Sequence, residues 1–178
     1  MITQWIITEI DGKVASIATD YRHFARIARE VDALPPEEVD SIGTRKISTD
    51  ELLEFARFLS WEDLRLFGTP FQQKVWKTLW EMPRQLHSYT EIAALAGTPQ
   101  GVRAVAHAVA INPVAYVIPC HLVIPKESLD RAQEIRTRAE GTTLFKGQDL
   151  YLLDSLDVGD YAYGPDIKRE LIKLQLAQ

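Results

Sequence analysis

Short apolar runs of strand character open the chain, and amphipathic runs of helical period follow them. Trp5 to Ile10 and Val14 to Ile17 read as β-type segments joined through Asp11-Gly12, a turn pair that tolerates positive φ, so a hairpin and a small sheet are predicted. Tyr21 to Val31 is amphipathic and predicts a helix that ends before the Pro35-Pro36 breaker. Ser48-Thr49-Asp50-Glu51 has the spacing of a capping box and opens a helical run over Leu52 to Leu59. Ser60 to Gly68 reads as a linker, and neither a repeat nor a low-complexity segment interrupts the chain.

Beyond the linker the pattern is a succession of capped helices. Thr69-Pro70-Phe71-Gln72 supplies an N-cap, a proline at the first helical position and Gln at N3, predicting a helix to about Glu81, before Pro83. Ser88-Tyr89-Thr90-Glu91 caps a second helix ending at Gly97, and Thr98-Pro99 is expected to start a third at once. Two short helices about a glycine turn suggest a helix-turn-helix. In the third helix Val102, Val105, Ala106 and Val109 should be buried, with Gln100, Arg103 and His107 opposite and the rest of that side small: Gly101, Ala104 and Ala108. Small residues around one arginine suit close approach to a nucleic-acid groove, although spacing alone fits an ordinary helical hairpin with a solvated Arg equally well. Trp76 and Trp80, one turn apart on a helix, read as core rather than as a stacking platform.

Composition narrows the class. With 46% hydrophobic and 25% charged residues the 178-residue chain is globular, of a length for one domain or two small ones. A net charge of -5 argues against a generally basic nucleic-acid binder but leaves room for a local DNA-binding face. A single cysteine excludes an internal disulfide framework and any multi-cysteine zinc site, so no metal and no cofactor is expected and a reducing setting is the natural one. The N-terminus lacks a basic region followed by a long apolar core, and no apolar run approaches the ~18 residues of a membrane span, so a soluble, cytoplasmic protein without a membrane partner is expected.

That cysteine lies in Ile118-Pro119-Cys120-His121-Leu122-Val123, after a strand-like run from Val114 to Ile118. A thiol attacks as thiolate, a minor species near neutrality for a free pKa of ~8.5, and His121 is the nearest base. Taken alone, a lone cysteine is more often a packing residue. His23 and His87 carry no usable partner spacing.

Gly68-Thr69-Pro70-Phe71-Gln72, Val75-Trp76, Ser88-Tyr89, Arg103-Ala104-Val105, Asn112-Pro113, Ile118-Pro119-Cys120-His121 and Val123, in that order and spacing, resemble the O6-alkylguanine-DNA alkyltransferases. The resemblance resumes at Gly159-Asp160-Tyr161 and Gly164, with Lys168 and Leu171-Ile172, while the first half matches only in organisation. It implies an α+β fold: a small α/β domain with a short antiparallel sheet over 1–66, then a mainly helical, winged helix-turn-helix-like domain over 67–178 carrying the reactive cysteine. It implies a monomeric, single-turnover repair protein that flips O6-alkylguanine, with O4-alkylthymine as a further candidate, out of double-stranded DNA and moves the alkyl group irreversibly to Cys120. In that reading Arg103 fills the vacated stack, Tyr89 crowds the phosphate and donates to the guanine ring, and Gln100 and Ala104 complete the DNA-facing side. Asn112 braces the turn before the reactive residue, His121 is the base, the carbonyls of Cys120 and Val123 accept from the exocyclic amine, and Tyr161, Ala162 and Val109 line the pocket.

The chain departs from that family at three places. Leu122 stands where the family usually has Arg. Gln175 stands where it has the glutamate that orients the histidine, so a hydrogen bond is kept and a negative charge lost, which predicts weaker thiolate formation. The short link to the Gly-x-Tyr loop becomes a long segment, about 125–158, whose Ser128 to Ala139 part is charged and helical in pattern, ending at Gly141, and whose Asp149 to Leu153 part is apolar enough to pack. Cys120 and His121 favour an alkyltransferase; Leu122 and Gln175 keep open a non-catalytic, alkyltransferase-like lesion-binding or regulatory protein. A cysteine hydrolase is disfavoured, because a Cys-His pair adjacent in sequence supplies neither a triad nor oxyanion donors.

Overall fold

The computed structural model describes residues 4–19, 26, 29, 30, 32–35, 38–138 and 153–177. They divide into two compact units, 1–73 with 112–118 and 74–111 with 119–178. The fold is α+β, as the resemblance implies.

In the first unit β1 (Trp5–Ile10) pairs antiparallel with β2 (Lys13–Ala18) and with β3 (Ile42–Ile47), giving the strand order β2-β1-β3. The hairpin turn has φ of 51° at Asp11 and 75° at Gly12, the two positive values that a tight primed turn demands. Asp11 does more than turn the chain. Its carboxylate accepts from the backbone N–H of Asp40 at 2.9 Å and of Ser41 at 2.8 Å and pairs with Arg65. These bonds, that from Ser41 foremost, hold the carboxyl below its usual range. Trp5, Ile7, Val14 and Ile17 are buried on one face of the sheet and Ile6, Thr8 and Ile10 on the other, so both faces of β1 are covered. β3 has no signal in the sequence, because only Ile47 of its six residues is buried and no apolar alternation marks it.

α1 (Thr49–Ala56) opens on the predicted Ser48–Glu51 capping box and stops short of Leu59. The expected linker holds a 3₁₀ turn, Trp61–Asp63, and Leu64 bridges to Val14 beside β2. Residues 112–118 are not the strand that their apolar run suggests. Val114 makes one bridge to Ile17, Ile17 N–H donates to Pro113 O and Ala115 N–H to Ile17 O, both at 3.0 Å, and Tyr116 then reverses the chain at a φ of 69°. Most of the predicted Tyr21 to Val31 helix lies outside the described residues.

α2 (Pro70–Glu81) begins with the reciprocal Thr69 and Gln72 bonds predicted for it, and its residues from Lys74 onward belong to the second unit. There Trp76 is fully buried, its indole N–H donating to Ala108 O at 2.8 Å, while Trp80 is half-buried. β4 (His87–Ser88) pairs parallel with β5 (Val123–Ile124). α3 (Tyr89–Leu95) starts from the Ser88–Glu91 capping box and ends at Gly97, whose φ of 69° allows Thr98 N–H to donate back to Ala93 O at 2.8 Å. α4 (Val102–Ala110) begins later than Thr98-Pro99 suggests, because Thr98 to Gly101 close a turn of their own, Gly101 N–H donating to Thr98 O at 2.8 Å. Val105 and Val109 are buried and Val102 and Ala106 half-buried. Ala108, expected on the open side, is buried too, since the Trp76 indole lies on it.

α5 (Lys126–Arg138) packs Ser128, Leu129 and Ala132 inward, against β4 among others. The predicted helix end at Gly141 and all of the Asp149 to Leu153 run except Leu153, which is buried, lie outside the described residues. Residues 153–155 form a turn, and α6 spans Pro165–Leu176.

Candidate active site

Cys120 opens a 3₁₀ turn, Cys120–Leu122, directly after Pro119, and Leu122 N–H closes it on Pro119 O at 3.1 Å. The turn feeds β5, which fixes its direction. The thiol is almost wholly buried, 5% exposed, and donates to Tyr161 Oη at 3.7 Å. Burial, followed by the Cys120 charge, pushes the Tyr161 phenol well above its ordinary range.

Tyr161 sits on the loop between the 153–155 turn and α6. The loop's shape depends on two glycines. Gly159 has a φ of 74°, and a Cβ there would meet the Pro125 ring at 3.1 Å; Gly164, at a φ of 93°, hands the chain to Pro165 at the start of α6. Asp157 Oδ1 accepts from Gly159 N–H at 2.8 Å, and Tyr161 O accepts from Gly164 N–H at 3.0 Å. Tyr163 packs edge-on against Tyr161, ring centres 5.4 Å apart.

α6 brings a lysine beneath this loop. Lys168 is 1% exposed, and its Nζ lies 5.9 Å from the ring centres of both Tyr89 and Tyr161. Burial lowers its pKa to about 8, against the opposing pull of Cys120, Asp157 and Asp160. Tyr89, at the start of α3, is pushed up to about 12, first by burial and then by the Cys120 charge. Sequence reasoning used Lys168 only as a landmark. Its signal was its spacing: Lys168, Leu171, Ile172 and Gln175 share one helical face, the face that α6 turns inward.

His121 is fully buried. Burial, with Lys168 and Arg84 nearby, drives its pKa down to about 3, and a side-chain hydrogen bond with Gln175 opposes that shift. The imidazole is therefore neutral at physiological pH, and the Lys168 ammonium is a buried cation that feels the Cys120 charge. Leu122 is fully buried.

The second unit thus gathers Cys120, His121, Gln175, Tyr89, Tyr161 and Lys168. Val123 is buried on β5, Val109 is buried on the inner side of α4, and Ala162 is exposed beside Tyr161. Gln100, Arg103 and Ala104 are all exposed, the first on the turn before α4 and the others on its outer side. Asn112 belongs to the first unit. There it is buried, Nδ2 donating to Ile118 O at 2.8 Å and to Val114 O at 3.4 Å, while Oδ1 accepts from Val114 N–H at 3.1 Å, so one amide ties the turn that precedes Pro119. His87, unassigned by spacing, is buried with Nε2 3.2 Å from Pro83 O and Nδ1 3.9 Å from Glu91. Among the described residues no group of side chains could hold a metal ion, and no helix is long and apolar enough to cross a membrane.

Residues 70–141 match the family model for the DNA-binding domain of 6-O-methylguanine DNA methyltransferase. The constitutive methylated-DNA--protein-cysteine methyltransferase of Bacillus subtilis is 50% identical over 62 residues, 34% of this chain and 38% of that protein. The methylated-DNA--protein-cysteine methyltransferase of Mycobacterium leprae is 47% identical over 75 residues, 42% of each chain. The matched stretch thus spans less than half the length of these relatives. In fold, the chain is similar to the O6-methylguanine-DNA methyltransferase of Pyrococcus kodakaraensis, with a TM-score of 0.53 and 21% identity over 97% of this chain and 91% of that one.

Proposed function

We propose, because residues 70–141 match the DNA-binding domain of 6-O-methylguanine DNA methyltransferase, that the chain repairs duplex DNA by moving the alkyl group of O6-alkylguanine to Cys120. The observation that carries this reading is the thiol itself, buried, bonded to Tyr161 and flanked by a buried lysine. A nucleophile so enclosed is reached by a base turned out of the stack, not by one inside a duplex. Sγ attacks the alkyl carbon, the S–C bond forms as the C–O bond breaks, and the electron pair leaves on O6. The thiol proton is passed on, and the departing guanine takes up one proton, so the reaction balances without a cofactor. The thioether has no route back, and each chain acts once.

The neutral His121 accepts the thiol proton transiently, Gln175 orients it, and Lys168 offsets the charge on sulfur. Tyr89 donates toward the guanine, the carbonyls of Cys120 and Val123 accept from its exocyclic amine, and Tyr161, Ala162 and Val109 line the space around it. Gln100, Arg103 and Ala104 meet the DNA. Asn112 holds the Ile118 carbonyl. A lesion binder without chemistry is not favoured, because the nucleophile is present. The deciding experiment is incubation with a duplex containing O6-methylguanine followed by intact-protein mass measurement: one methyl group per chain supports the reading, and none refutes it.

Two variants test its parts. If Arg103 fills the gap left by the flipped base, Arg103→Ala slows repair of duplex DNA by roughly tenfold or more while reaction with free O6-benzylguanine changes little, since flipping costs a few kcal/mol only in the duplex. Equal losses on both substrates count against that role. Gln175→Glu places a negative charge beside His121 and raises its pKa from about 3, favouring the imidazolium that thiol deprotonation creates. Alkyl transfer near neutral pH then rises by roughly tenfold, the equivalent of ~1 pKa unit, with DNA affinity unchanged. A rate profile across pH identical to that of the parent excludes a position for Gln175 behind the histidine.

A further inference from the structure

Both ends of the 126–158 excursion return to one place: Pro125, where it leaves, lies so close to Gly159, where it ends, that a Cβ on Gly159 would fall 3.1 Å from the proline ring. What sets the height of the returning strand of chain is an arginine. Arg169 Nε donates to Leu153 O at 3.2 Å and Nη2 to Leu156 O at 3.0 Å, while Nη1 pairs with Asp166 one turn earlier on α6 at 3.2 Å. Lys173, a further turn along, holds Asp154 at 2.6 Å. The side chains of Leu153, Leu156 and Val158 are buried, so their backbone needs internal partners, and Arg169 supplies two of them. A planar guanidinium donating to two carbonyls fixes direction as well as distance, which a single donor does not. The next residue back on the same helix, Lys168, underlies the Tyr161 ring further along the loop. One turn of α6 thus grips the loop at its entry and supports it at its apex.

We infer that Arg169 is a positioning residue, which by holding the Leu153 and Leu156 carbonyls places Tyr161 against the Cys120 sulfur. Gly159 and Asp157 lie between the grip and Tyr161 with a bond of their own, so displacement at 153–156 is passed on to the tyrosine rather than absorbed. The inference deepens the proposed alkyl transfer, but its first readout does not depend on that reaction.

The test measures the rate at which Cys120 reacts with a small disulfide, 2,2′-dithiodipyridine, across pH, in the full chain and in R169A, R169K, Y161F and the double variant R169A/Y161F. R169A should shift the pH profile of thiol reactivity and change the rate roughly tenfold, whereas in the Y161F background the same substitution should change it less than about twofold, because the group through which Arg169 acts is gone. R169K, able to reach one carbonyl, should recover part of the parent profile and serves as the reader if R169A does not fold. Equal effects of R169A in both backgrounds, or an R169K and R169A profile indistinguishable from the parent's, overturn the inference. Transfer from O6-methylguanine duplex is measured in parallel; if the parent transfers nothing, the proposed function fails while the disulfide rates still decide the role of Arg169.

Discussion

Cys120→Ser takes up no alkyl group from an O6-methylguanine duplex, while the parent chain takes up one and then stops. The effect is the largest expected of any single change, because the nucleophile is altered and nothing else. A hydroxyl is far less acidic than a thiol, so the fraction ionised near neutrality falls by several powers of ten, and the less polarisable oxygen attacks an alkyl carbon more slowly besides. No second thiol is available to substitute, since the chain has one cysteine. The fold should persist, because the site is small, Cys-to-Ser changes little volume and the one bond lost is a long thiol–phenol contact of 3.7 Å. The thermal midpoint and binding to the lesion-containing duplex are therefore expected to stay near the parent values. Intact-protein mass after incubation with excess substrate gives the answer. Alkylated Ser variant, or more than one product per parent chain, is incompatible with single transfer to Cys120.

How much of this could be read from the chain depends on what fixed each part. Caps were legible because they are local: Ser48 with Glu51, Thr69 with Gln72 and Ser88 with Glu91 bond residue to residue within one turn, and all three are formed. The Asp11-Gly12 hairpin was legible for the same reason. β3 was not, since five of its six residues are exposed without apolar alternation and it is defined by its pairing with β1 rather than by its own pattern. The Val114 to Ile118 run misled because continuous apolarity reports burial and not geometry. All of its residues are buried, but by way of a reversal at Tyr116. At the site, Cys120 and His121 announced themselves by adjacency to Pro119. Lys168 showed only the spacing of an inward helical face and not its role, and Arg169 showed nothing, because an arginine bonded to carbonyls looks in sequence like any charge on an amphipathic helix. Their placement comes from the loop folding back onto α6, a long-range event without a local signature.

Lys168→Met is expected to make the protein more stable and less reactive at once. The ammonium is buried, and its pKa stands at about 8 instead of 10.5, so the folded state carries a penalty for holding the proton. Between those two values the unfolded chain binds a proton that the folded chain has released; stability therefore rises with pH through that window, and the penalty is complete below its lower edge. At ~1.4 kcal/mol per unit the shift amounts to about 3 kcal/mol, from which the loss of two cation–π contacts subtracts about 1 kcal/mol or more. Methionine has similar length and carries no charge, so denaturant unfolding near pH 7 should show a gain of about 1–2 kcal/mol that disappears as the pH approaches the unfolded-state lysine value. Reactivity moves the other way. Lys168 is the cation set beneath Tyr161 and drawn to the Cys120 charge, and His121, charged only while it holds the thiol proton, does not replace it once that proton is passed on. Without it, charge developing on sulfur in a nearly dry site is left uncompensated, and alkyl transfer near neutral pH should fall roughly 100-fold, the lower end of the loss on removing one preorganised electrostatic group. Both measurements on one variant separate the possibilities. A destabilised Met variant with an unchanged transfer rate would mean that Lys168 is a structural cation whose bonds to the loop outweigh its burial; a stabilised and slowed one means that the fold keeps a costly buried charge because the thiol needs it.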